Sequence, residues 1–142
     1  MKIWFDMDGT IVDLYGVRNW LAMVDNEDPT PYAIAKPCIN LSRLAYYINK
    51  LQHKGHQVGI ISWTSKTGSD LYNGQVTLEK LVWLKQHMPS VVWDSIKIMP
   101  YGTDKYKICK SGILFDDEAK NRENWQGQAY TPAKIFEILM AL

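Results

Sequence analysis

Cysteine is scarce in this chain: among 142 residues there are two, Cys38 and Cys109. They lie far apart and form no Cys-x-x-Cys pair, which argues against a zinc site and against a scaffold built on disulfides. Two buried or half-buried thiols in a reducing compartment are the expectation. Excess charge of either sign is also missing. The net charge is +1, so no general attraction to nucleic acid or to an anionic membrane is implied, and basic groups that matter must act locally. No apolar run is long enough to cross a bilayer, and no signal-peptide pattern precedes the first strand-like residues. These absences lead to the expectation of a soluble, cytoplasmic protein. Repeats, low-complexity tracts and domain linkers are absent too. With 46% hydrophobic and 22% charged residues, the chain has a normal globular balance and is expected to form one domain over residues 1–142.

What is present is an alternation of short apolar runs with helical patterns. Ile3-Trp4-Phe5 reads as a buried strand that stops abruptly at Asp6-Met7-Asp8-Gly9-Thr10. Leu14, Val17, Trp20, Leu21 and Val24 follow at helical spacing. Residues 26–37 carry Pro29, Pro31 and Pro37 and read as loop. A second helix is predicted over about 41–54, with Leu44, Tyr47, Ile48 and Leu51 on one face and Gly55 after its end. Val58-Gly59-Ile60-Ile61 is a strand closing at Ser62, and 66–74 reads as loop. A third helix is predicted over about 76–87, with Leu78, Leu81, Val82 and Leu84 as its apolar positions and Pro89 as its stop. Strands follow at 96–99 and 113–115, with a short one at 128–130. A last helix starts near Pro132, with Thr131 as N-cap. Strands alternating with helices of crossover length predict an α/β fold, a parallel sheet with helices on both faces.

The strand ends carry the chemistry. Strand one ends in Asp6 and Asp8, strand two in Ser62, and strand four in Asp116 and Asp117; the loop after strand three holds Lys105 and Lys107. In open parallel sheets ligands bind at the carboxyl ends of the strands, so these groups are expected along one edge. Clustered carboxylates raise one another's pKa unless a cation relieves them, and an all-oxygen donor set suits magnesium better than zinc. A lysine, a hydroxyl and the backbone N–H groups of the Asp-Gly-Thr turn can receive the charge of a phosphoryl group. Phosphoryl transfer asks a protein mainly for positioning and charge stabilisation. Asp6 and Asp8 stand two apart, a spacing that puts both on one side of an extended chain. Asp6 can then attack phosphorus to form an aspartyl-phosphate. Asp8 can protonate the leaving oxygen and later deprotonate the attacking water.

These residues resemble the haloacid dehalogenase-like hydrolase superfamily. Asp6-Met7-Asp8-Gly9-Thr10 after an apolar strand matches its DxDGT motif. Ser62 fits the Ser or Thr of the second motif, Lys105 the lysine of the third, and Asp116-Asp117 the acidic pair of the fourth. The four occur in order and span most of the chain. The resemblance implies a Rossmann-like three-layer sandwich with sheet order 5-4-1-2-3. It also implies a magnesium ion held by Asp6, Asp116, Asp117 and the backbone carbonyl of Asp8, and phosphate contacts from Ser62 and Lys105. Closer still, the chain resembles small phosphatases of the 5′(3′)-deoxyribonucleotidase type and related phage-encoded members, through Lys80-Leu81-Val82-Trp83-Leu84 and Asp116-Asp117. It departs from larger members in having minimal or no cap, with only a small cap-like insertion at about 14–38.

The expected function is therefore magnesium-dependent hydrolysis of a small phosphomonoester, with nucleoside monophosphates as one candidate substrate class. Two alternatives stand beside it: a phosphatase of phosphorylated macromolecules, and a receiver-like module that accepts a phosphoryl group without turnover. In receivers the acidic pair precedes the phosphorylated aspartate, whereas here it comes last. Two choices stay open, Lys105 or Lys107 on the phosphate, and Ser62, Thr64 or Ser65 as the hydroxyl. His53, His56 and His87 fall at helix ends or adjoining turns and are assigned no catalytic role. Tyr15, Trp20 and Tyr32 lie in the insertion, where they can pack the short helix or stack on a nucleobase. Asn121, Arg122 and Trp125 can anchor the loop after the acidic pair or shape the metal site.

Overall fold

The computed structural model describes residues 1–142. In chain order the strands are β1 (Lys2–Phe5), β2 (Val12–Asp13), β3 (Lys36–Pro37), β4 (Gln57–Trp63), β5 (Ser95–Met99), β6 (Ile113–Phe115) and β7 (Gln128–Tyr130). The helices are α1 (Trp20–Asp25), α2 (Thr30–Ile34), α3 (Leu41–His53), α4 (Asp70–His87), α5 (Lys105–Ile108), α6 (Ala119–Asn124) and α7 (Ile135–Ala141), the last preceded by a 3₁₀ turn at Pro132–Lys134. The architecture is α/β, a five-stranded parallel sheet with flanking helices. The sheet runs β5-β4-β1-β6-β7, and β2 and β3 pair separately as an antiparallel ribbon. The ribbon supplies two strands that the periodicity does not reveal, so the chain has seven strands where five were expected.

Strand alternation sorts the core into two faces. Ile3 and Phe5 of β1, Val58 and Ile60 of β4, and Ile113 and Phe115 of β6 point to one face, under α3, α7 and the Trp83-Leu84 end of α4. Phe5 pairs in register with Ile60 on one side and Phe115 on the other, and the two phenyl rings stack with centroids 5.1 Å apart. Side chains of this size, fully buried, each contribute about 1.5–3 kcal/mol. Trp4, Ile61 and Leu114 point the other way, towards Cys109 and Trp125. The two longest helices, α3 and α4, start with a side-chain cap: Asn40 accepts from Arg43 N–H at 3.0 Å and Ser69 from Tyr72 N–H at 3.2 Å.

Several expectations are corrected. The helix predicted from Leu14 begins only at Trp20; Val12 and Asp13 belong to the ribbon, and the Asp13 carboxylate turns the chain by accepting Gly16 N–H. The proline-rich stretch 26–37 holds α2, with Pro31 in its first turn where a missing N–H costs nothing, and β3. The segment 66–74 is not all loop, since α4 starts at Asp70. Its buried face is Tyr72, Val76, Lys80, Trp83 and Leu84, and the expected apolar positions Leu78, Leu81 and Val82 are exposed. Lys105 and Lys107 lie in a short helix rather than a loop. Thr131 makes no side-chain cap, and the chain enters the last helix through the 3₁₀ turn. Cys38 is exposed; only Cys109 is buried.

Candidate active site

The ends of β1 and β6 are tied past the last strand residue. Asp6 N–H donates to Phe115 C=O at 2.9 Å, and Asp116 N–H to Tyr130 C=O at 3.1 Å. That ladder sets Asp6 beside Asp116 and Asp117, and one oxygen from each of the three lies within 4.8 Å of the others. Acids from opposite ends of the sequence are thus brought together at the carboxyl edge of the sheet, as expected.

Lys105 sits among them. Its ammonium donates to Asp6 Oδ1 at 2.8 Å and to Asp116 Oδ2 at 2.7 Å, with the side chain only 2% exposed. Burial acts to lower its pKa, but the charges of Asp6 and Asp116 outweigh that and push it up to about 12. Lys107, the other candidate, points to solvent and pairs with Asp104 at 3.2 Å. Thr10 Oγ1 donates to Asp6 Oδ2 at 3.0 Å and approaches Asp117 Oδ1 at 3.5 Å. The turn between them uses its own amides, Gly9 N–H to Val12 C=O and Thr10 N–H to Met7 C=O, so these two are not free for a phosphoryl oxygen. Gly9 has φ +81, and a Cβ there would collide with the Asp117 carboxylate; both demands require glycine.

Asp116 is held most firmly. Glu118 N–H donates to Oδ1 at 2.9 Å, Asn121 Nδ2 to Oδ2 at 3.1 Å, and Arg122 Nη1 to its carbonyl at 3.0 Å. Asn121 and Arg122 therefore shape the acidic cluster, while Trp125 anchors the chain by donating to Gly112 C=O. Burial, then the charge of Asp6, holds both Asp116 and Asp117 above the usual carboxylate range. That strain is what a divalent cation relieves, and the three carboxylates form an oxygen-only cluster that could hold a metal ion.

Asp8 stands apart from this cluster. Its Oδ2 accepts from Lys80 Nζ at 2.7 Å. Lys80 also donates to Ser62 Oγ at 2.8 Å and to Trp63 C=O at 2.7 Å, and its side chain is 2% exposed. Burial raises the Asp8 carboxyl above its ordinary value, with the Lys80 charge opposing. Ser62 is buried against Lys80; of the other two hydroxyls, Thr64 lines the cavity, and Ser65 lines it too but donates to Asn73 Oδ1 at 2.6 Å. Lys80 as a site residue escaped the sequence reading. Helical spacing puts it on the same face as Val76 and Leu84, but a lysine there reads as solvated until its partners are known.

A cavity of about 300 Å³ opens over these groups. Asp6, Asp8, Asp117 and Lys105 form its floor, and Tyr15, Trp20, Tyr32, Trp63 and Tyr101 give it aromatic walls. The insertion that supplies the first three rings is anchored on α4: Leu14, Val24 and Tyr32 pack with Tyr72 and Val76, and Tyr72 Oη donates to Asp28 C=O at 2.9 Å. Another cavity, about 480 Å³, opens beside Lys2, Gln57, Ser95 and Lys97 at the amino ends of the strands, away from the acids. No protein-family profile matches the chain, and no curated protein is significantly similar to it. No helix is long and apolar enough to cross a membrane.

Proposed function

We propose that the protein is a magnesium-dependent phosphomonoester hydrolase that works through an aspartyl-phosphate on Asp6. The observation that carries this reading is the division of the acids between two buried lysines. Asp6 and Asp116 share Lys105, while Asp8 is held separately by Lys80 at the same cavity. One aspartate is thereby set among charge-stabilising groups as a nucleophile. A second, with its carboxyl raised by burial, suits proton transfer.

In the first displacement an oxygen of Asp6 attacks phosphorus while the bond from phosphorus to the leaving oxygen breaks. Asp8 gives its proton to that oxygen, and the alcohol departs. In the second, a water oxygen attacks the phosphorus of the aspartyl-phosphate, its proton passes to the Asp8 carboxylate, and Asp6 leaves as a carboxylate with release of phosphate. Lys105 receives negative charge on the phosphoryl oxygens throughout. When bound, a magnesium ion held by Asp6, Asp116, Asp117 and the backbone carbonyl of Asp8 offsets the negative charge of acids and phosphate. The aromatic walls favour a planar leaving group, which supports nucleoside monophosphates as the substrate class. We take the scaffold to be the Rossmann-like sandwich of haloacid dehalogenase-like hydrolases, with β2, α1, α2 and β3 as a small cap-like insertion.

The test is turnover of p-nitrophenyl phosphate and of nucleoside monophosphates with and without magnesium, beside Asp6→Asn. Magnesium-dependent release of phosphate that vanishes in Asp6→Asn is expected. A single stoichiometric phosphorylation without turnover would indicate a receiver-like module instead.

A further inference from the structure

Lys80 is a fully buried ammonium whose three N–H groups meet three acceptors, Asp8 Oδ2, Ser62 Oγ and the Trp63 carbonyl, all within 2.8 Å. A buried lysine costs stability unless its charge and protons are matched, and here both are. Two of the acceptors belong to β4, whose strand ladder fixes their positions. The third is on the loop after β1. Asp8 Oδ1 makes no hydrogen bond within the chain, and Asp8 lines the cavity. Tyr32 of the insertion closes over the ammonium, its ring centroid 5.5 Å away.

We propose that Lys80 is the positioning residue for proton transfer, clamping one oxygen of Asp8 so that the other faces the leaving group, and that Ser62 serves as the anchor of that clamp. This rests on the phosphohydrolase reading above and deepens it. The two buried lysines differ in what they hold. Lys105 sits on Asp6 and Asp116, and Lys80 sits on Asp8 alone among the acids. Ser62, expected to contact phosphate, is 1% exposed and absent from the cavity wall. Its hydroxyl fixes Lys80 from behind.

The role predicts a dependence on the leaving group that a purely structural lysine would not produce. A p-nitrophenolate leaves without a proton, whereas the alkoxide of an alkyl phosphate needs one. The quantity to measure is kcat/KM, which reports steps up to departure of the leaving group, on p-nitrophenyl phosphate and on glycerol phosphate with magnesium. Lys80→Met should lower the alkyl-to-aryl ratio of kcat/KM by about 10²-fold, the lower end of what positioned acid catalysis supplies. Ser62→Ala should lower it in the same direction by less. Lys80→Arg, which keeps the charge, should recover part of the ratio. Asp8→Asn should show the full split, and adding Lys80→Met to it should not deepen the loss. If Lys80→Met does not fold, Lys80→Gln, which keeps an N–H donor, is read in its place.

Equal losses on both substrates, or a double variant whose losses multiply, would overturn the positioning role while leaving the hydrolase reading intact. A rise in KM for both substrates in Ser62→Ala would return Ser62 to the phosphate and remove it from the clamp. A wild-type protein without magnesium-dependent turnover on either substrate would overturn the hydrolase reading itself, and the clamp with it.

Discussion

Replacing Lys105 by methionine keeps most of the side-chain bulk and removes the charge. In the folded protein its ammonium lies 2.8 Å from Asp6 and 2.7 Å from Asp116, carboxylates whose side chains are themselves 9% and 1% exposed. Without it, two buried carboxylates face each other with no counter-charge. Breaking a buried pair from one side costs about 3–5 kcal/mol, because the remaining charge stays buried and unmatched. With a urea slope of about 2 kcal/mol/M, the unfolding midpoint should fall by about 1.5–2.5 M. Lys107→Met is the control: Lys107 pairs with Asp104 in solvent, where water screens the contact, and its midpoint should not move. The assay is urea denaturation followed by far-ultraviolet circular dichroism in metal-free buffer at neutral pH, repeated with magnesium. Magnesium should recover part of the loss in Lys105→Met, since it supplies positive charge to the same acids. A Lys105→Met midpoint within about 0.5 M of wild type, or an equal fall in Lys107→Met, would refute the reasoning.

Three further outcomes are expected. Metal-free protein should be more stable at pH 5 than at pH 8. Burial and the charge of Asp6 raise Asp116 and Asp117 above 3.8, Asp117 to about 7. The folded state therefore holds more protons than the unfolded one in that window, and stability falls as pH rises through it. Saturating magnesium should flatten the slope, and a metal-free midpoint that climbs from pH 5 to pH 8 would contradict the charge assignment. Gly9→Ala should cost about 1–3 kcal/mol from its left-handed backbone alone. It should also weaken magnesium binding measured by calorimetry, because the added methyl meets Asp117; unchanged magnesium affinity would separate Gly9 from the metal site. Trp20→Ala should raise KM about tenfold for nucleoside monophosphates, the scale of one lost stacking contact, and leave glycerol phosphate nearly unaffected. A proportional change for both substrates would take the aromatic wall out of substrate recognition.

The legible part of the fold was the part dictated by local pattern. Ile3-Trp4-Phe5, Val58 to Ile61 and Ile113 to Phe115 are apolar runs that hardly fit anywhere but the middle of a sheet, and each ends at a polar group that the sheet geometry sends to one edge. The ribbon of Val12–Asp13 with Lys36–Pro37 was not legible, because two-residue strands have no periodicity to read. Helix α4 misled for a related reason. Leu78, Leu81 and Val82 look like a core face, yet the face that packs is set by where the insertion and the sheet lie.

Chain order and residue type alone determined that Asp6, Asp116 and Asp117 would lie along one edge of the sheet, since acids following apolar parallel strands fall at their carboxyl ends; the pairing of β1 with β6 is what brings them together. Only the tertiary structure decided which lysine serves which acid. Lys105 and Lys107 are alike as text, and Lys80 sits 72 residues from Asp8. A charge is buried or solvated according to partners distant in sequence, and the energy that chooses between those states exists only once the chain has folded around them.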